Sequence, residues 1–136
     1  PSADLVRGLL DRVYLYEWNE YLSPSIIAAC DMAVIPIALD DPLTSGKPEN
    51  KLLAFWRMGL PAVVSATPAY ARAMRAAGLD MDCRTEDDWA AVLTRYMDDA
   101  DARREAGARG RRFALEHAGE EKLARQWDAV LASVLA

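Results

Sequence analysis

Glu49-Asn-Lys-Leu-Leu-Ala-Phe-Trp-Arg-Met-Gly-Leu-Pro-Ala-Val-Val-Ser65 holds a helix, a stop and a strand in immediate succession. The residues from about Glu49 to Met58 read as a helix, and Gly59 ends it by capping its carboxyl end. Pro61-Ala-Val-Val-Ser65 then reads as a buried strand. A second strand lies upstream, at Met32-Ala-Val-Ile-Pro36. Its apolar character is continuous rather than alternating, as expected of a strand covered by helices on both faces. Between the two, Ala38 to Pro48 is rich in Pro, Gly, Asp, Thr and Ser, all loop formers.

Outward from this centre the alternation continues. Upstream, Ser23-Pro24 starts a helix that runs to about Cys30, with proline just inside the cap. Before it comes a polar loop, Glu17 to Glu20, that exposes Trp18. Arg12-Val-Tyr-Leu-Tyr16 is a β-branched and aromatic run that reads as a further strand. Downstream, Thr67-Pro68 starts a helix that Gly78 ends, and Asp80 to Cys83 is a brief edge strand. Thr85-Glu-Asp-Asp88 then places an acceptor and acidic groups at a helix start, where the dipole favours them. Helices over about 102–117 and 120–135 complete the chain. Strands alternating with helices predict an α/β fold, a Rossmann-like parallel sheet flanked by helices, with a helical C-terminal tail.

Composition bounds the rest. The chain has 136 residues, 52% hydrophobic and 27% charged, enough for a single domain spanning 1–136. A net charge of −5 argues against nucleic acid as the partner, but not against a single nucleotide held at one local positive site. Two cysteines far apart, Cys30 and Cys83, read as reduced thiols of a cytoplasmic protein. With one histidine, His117, no metal cluster is readable. No apolar run approaches the length of a membrane span. The chain opens on Pro1 rather than Met, so a fragment of a longer protein is expected, whose absent regions leave peripheral attachment to the inner face of a membrane open. Trp56, Trp89 and Trp127 read as packing residues, and Arg109-Gly-Arg-Arg112 as a solvated helix face.

Ligands of open parallel sheets bind beyond the carboxyl ends of the strands. The loop from Ile37 to Lys47 leaves one such end and feeds the helix that begins near Glu49, Asn50 and Lys51. A helix amino terminus offers unpaired N–H groups and partial positive charge to a phosphate. Ser45 and Gly46 allow close approach of the backbone, and Lys47 and Lys51 add cations. The combination suits a diphosphate. Against it, each lysine can be an ordinary surface charge, Trp18 an ordinary interface aromatic, and Asp40-Asp41 before Pro42 ordinary turn residues. No nucleophile–base pair is readable, and no catalytic residue is assigned.

Four motifs occur in order: Val13-Tyr-Leu-Tyr-Glu-Trp18, Cys30-Asp-Met-Ala-Val-Ile-Pro36, Asn50-Lys-Leu-Leu-Ala-Phe-Trp-Arg-Met-Gly-Leu-Pro61 and Ala62-Val-Val-Ser65. With the arginine-rich and Trp127-containing helices that close the chain, the stretch from about Arg12 to Leu135 resembles the C-terminal, donor-binding domain of retaining GT-B-fold glycosyltransferases. The resemblance implies part of a two-domain enzyme, with a nucleotide-diphosphate sugar as donor substrate, no other cofactor and no metal. An N-terminal domain outside this chain would hold the acceptor, so this part alone should not catalyse transfer. Asn50 and Lys51 would meet the diphosphate or the sugar, Glu17, Trp18 and Asn19 would lie near the base, and Ser45 and Gly46 would line the sugar side. Ala54 stands where the family usually has a glutamate that accepts hydrogen bonds from the ribose. A second family acid would fall on Gly46, and Glu49 is the nearest substitute. The readings held open beside this one are a nucleotide-sugar epimerase of the same layout, with Glu49, Asp40 and Asp41 as candidate carboxylates, a receiver-like signalling module, and a degenerate, non-catalytic binding module.

Overall fold

The computed structural model describes residues 12–135 without a break, together with Asp4, Arg7, Gly8 and Leu10. Helix α1 (Ser23–Ala28) precedes strand β1 (Ala33–Ile35), the short helix α2 (Pro42–Ser45), helix α3 (Asn50–Arg57) and strand β2 (Ala62–Ser65). Helix α4 (Pro68–Ala77), strand β3 (Asp82–Cys83) and helices α5 (Glu86–Asp98), α6 (Ala100–His117) and α7 (Glu120–Leu135) follow. The three strands form one parallel sheet in the order β1-β2-β3. Ala33, Val34 and Ile35 pair with Ala62, Val63 and Val64, and Val64 and Ser65 with Asp82 and Cys83. The fold is therefore α/β, as the alternation predicts.

Local chemistry explains most boundaries. At the end of α3, Gly59 takes φ +78°, and two hydrogen bonds, Gly59 N–H to the Trp56 carbonyl (2.9 Å) and Leu60 N–H to the Phe55 carbonyl (3.0 Å), close the last turn. This left-handed cap is nearly free for glycine and strained for any residue with a Cβ. Gly78 ends α4 in the same way, at φ +67°. At the other end of α4 the Thr67 hydroxyl accepts from Tyr70 N–H. Thr85 and Asp88 form a reciprocal capping box at the start of α5.

Central β2 is buried along its whole length and carries the core with Leu52, Trp56, Met74, Met81 and Cys83. Helix α6 packs against α3, α4 and α5. Its close approach to α3 depends on two glycines. A Cβ at Gly107 would fall 2.2 Å from the Gly59 carbonyl oxygen, and one at Gly110 would fall 2.6 Å from the indole of Trp56. Phe113 meets the same indole edge-on at 5.7 Å.

Four expectations are corrected. Arg12–Tyr16 is not a strand: it is irregular and pairs with none of β1 to β3. A β-prone run becomes a strand only where an edge accepts its hydrogen bonds and a surface covers its side chains, and Tyr14 and Tyr16 stand in solvent. Strand β1 is not covered on both faces, because it lies at the edge and Val34 is 49% exposed. The loop after β1 contains α2, since the Asp41 carboxylate caps Leu43 N–H and Pro42 fits the first helical position. Trp56 is buried and Trp89 packs on the core, but Trp127 is 60% exposed on α7.

Candidate functional site

Just beyond the carboxyl end of β1 the chain is tied to the end of β2. Ser65, buried at the end of β2, accepts a hydrogen bond from Ile37 N–H through its hydroxyl at 2.7 Å, which pins the first residues of the loop. Asp41 then sets α2: its carboxylate accepts from Leu43 N–H at 3.0 Å and from the Thr44 hydroxyl at 2.8 Å. The Thr44 hydroxyl and the Leu43 amide hold the Asp41 carboxyl below its ordinary value. Gly46 closes α2, and a Cβ there would touch the Pro42 carbonyl at 3.0 Å. Lys47 and Pro48 bring the chain to the amino end of α3.

These pieces enclose a cleft of about 480 Å³. It is lined by the segment Ile35 to Ala38 that leaves β1, by Asp41 and Thr44 of the α2 region, by Lys47 and Pro48, and by Asn50, Lys51 and Tyr70 at the starts of α3 and α4. Helix α3 begins here with no side chain capping its amino terminus. Its first amides therefore keep their hydrogens for whatever enters, with the positive end of the helix dipole behind them. Neither Lys47 nor Lys51 forms an ion pair with a carboxylate among the described residues. The lining is mainly apolar with a few polar groups among it, the composition of a small-molecule site.

The residues expected to form a site are divided by the fold. Lys47, Asn50 and Lys51 meet in the cleft. Ser45 lies instead in a neighbouring depression of about 420 Å³, with Arg72, Arg75 and Arg84 around it. Glu49 occupies the position before α3 and lines neither depression; its carboxylate reaches Arg72 at 3.5 Å. Gly46 lines neither. Trp18 is 80% exposed and stands apart from the cleft. Asn19 shapes the approach to α1: its side-chain oxygen accepts from Tyr21 and Leu22 N–H at 2.9 and 3.0 Å, and its own N–H donates to the Ser23 hydroxyl at 3.1 Å. Ala54 is exposed on α3 and contributes nothing to the cleft wall.

Asp41, weighed above as a candidate carboxylate, lines the cleft; Thr44 and Tyr70 line it too but were not singled out by their sequence context. For Tyr70 a signal existed. Thr67-Pro68 marks the helix start, so Tyr70 falls on the first turn of α4, directly after a strand end. No group of three or more His, Cys, Asp or Glu side chains placed to hold a metal ion occurs among the described residues. No described helix is long and apolar enough to cross a membrane. Compared with known proteins, the chain matches no family model, no curated protein and no solved structure.

Proposed function

We propose that this chain is the donor-binding part of a GT-B-type glycosyltransferase and that the cleft takes the diphosphate of a nucleotide sugar. The observation that carries the reading is the uncapped amino end of α3, opening beside the end of β1 with Lys47, Asn50 and Lys51 around it. Helix amides, an amide side chain and two ammonium groups with no ion pair among the described residues supply both hydrogen bonds and positive charge. A diphosphate needs both, and so does the leaving group whose charge grows as a glycosidic bond breaks. On this reading the cations do the electrostatic work within the protein, and the apolar wall from Ile35 to Ala38 flanks the phosphates.

The resemblance in the motif order, from Cys30-Asp-Met-Ala-Val-Ile-Pro36 to Asn50-Lys-Leu-Leu-Ala-Phe-Trp-Arg-Met-Gly-Leu-Pro61, supports the same reading. Ala54 removes the usual ribose acceptor, so recognition rests on the phosphates more than on the ribose. Transfer itself needs a second domain to present the acceptor. Calorimetric titration with UDP and GDP tests the proposal. The chain should bind at least one of them, and Lys51→Ala should weaken that binding by about tenfold, the value of one charge-assisted contact near 1.4 kcal/mol. Equal affinity in both proteins would remove Lys51 from the site, and no binding of either nucleotide by the parent chain would overturn the reading.

A further inference from the structure

Tyr70 is only 2% exposed, and it lines the cleft at the amino end of α3. Its backbone N–H is satisfied by the Thr67 hydroxyl at 3.3 Å. Its phenolic hydroxyl has no hydrogen-bond partner among the described residues, and the hydroxyl oxygen is not one of the fully sealed polar atoms. A nearly buried tyrosine ordinarily finds a protein partner for its O–H; here the hydroxyl oxygen keeps some contact with solvent instead. A phenylalanine would fill the same apolar space but offer no donor. The group therefore stands ready at the cleft, with no acceptor for its proton among the described residues.

We propose that the Tyr70 hydroxyl is a ligand-positioning donor that gives its hydrogen to an oxygen of the molecule bound in the cleft. The inference rests on the reading of the cleft as a nucleotide-sugar site and adds a contact that the resemblance does not supply. Two oxygen sources fit the chemistry: a phosphate oxygen and a sugar hydroxyl. Burial and the nearby negative charge of Glu49 both push the phenol upward from its ordinary value of 10.0, so it stays protonated at neutral pH. Lys47 and Lys51 supply charge but little direction, since an ammonium on a flexible stem is a mobile point charge. A hydroxyl fixed by a buried ring supplies the direction.

The test is titration of the wild-type chain and Tyr70→Phe with inorganic pyrophosphate, UDP and UDP-glucose, with thermal unfolding of both proteins alongside. Phenylalanine keeps the buried ring, so the melting temperature should hold or rise slightly. Loss of one hydrogen bond should weaken binding by about five- to tenfold. Weakening with all three probes supports the proposal with a phosphate oxygen as acceptor, and weakening with UDP-glucose alone supports it with a sugar hydroxyl. If Tyr70→Phe binds every probe that the wild type binds, and each equally well, the Tyr70 assignment is overturned while the cleft reading stands. If the wild type binds none of the three and does not bind GDP, the cleft reading itself is overturned and this inference with it.

Discussion

At Gly110 a single added methyl group would lie 2.6 Å from two carbons of the Trp56 ring, and Trp56 has no exposed surface into which it could retreat. Gly110→Ala should therefore destabilise the chain by about 1–3 kcal/mol, the usual cost of overpacking a core, and urea denaturation measures it. The same substitution at exposed Gly8, where nothing lies within 4 Å, has no such obstacle. This feature was hidden in the sequence. Arg109-Gly-Arg-Arg112 reads as a solvated face, and its arginines are indeed exposed, yet the glycine among them is buried. A close approach between helices far apart in the chain leaves no local mark except a glycine, and glycine has many causes. The indole Nε1 of Trp56 is also buried without a partner, one more sign that the ring is placed by shape rather than by hydrogen bonding.

Between elements, the clearest polar tie joins the segment before β3 to α5. Asp80 accepts from the Tyr96 hydroxyl at 2.8 Å and from Arg95 at 2.6 Å. Burial raises the Asp80 carboxyl, but the hydrogen bonds from Tyr96 and Arg95 and the guanidinium charge outweigh it, so the net shift is below 3.8. Tyr96, buried and donating to Asp80, is pushed up to about 12. The sign follows from linkage. A carboxyl whose folded value is depressed adds stability above its unfolded value, and that stability is lost as pH falls through the lower, folded one. Wild type should thus exceed Asp80→Asn in stability at neutral pH, with the gap closing as pH drops below 3.8, measured by denaturant midpoints across that range. Most elements were legible because their signals are local. Thr67-Pro68, Thr85-Glu-Asp-Asp88, Gly59 and Gly78 each act within one turn of the helix they bound. Arg12–Tyr16 misled because strand formation depends on a partner elsewhere in the chain, which a short run cannot announce.

Across the whole molecule, order is unevenly distributed. The core gathers around β2, Trp56 and Met74, whereas none of the described side chains of α7 joins it, and Leu123, Trp127, Val130, Leu131 and Val134 are exposed. An isolated helix of this length is marginal in water. Hydrogen exchange should follow: amides of β2 exchange slowest, through global unfolding, and those of α7 at least about a hundredfold faster. Equal protection in both would mean that α7 is held by something beyond the described fold. The candidate site shows the same split between near and far. Lys47, Asn50 and Lys51 are neighbours in the chain and could be read together, whereas Tyr70 and the Ile35–Ala38 wall join them only through the sheet.

The two-glycine notch on α6 has a further consequence for that site. It grips the carboxyl end of α3 through the Gly59 backbone and Trp56, while the opposite end of the same rod faces the cleft. A rod clamped at its tail cannot swing its head without unseating the tryptophan. A ligand bound there as proposed would meet a stiff anvil rather than a closing jaw, so fit of shape would decide its binding.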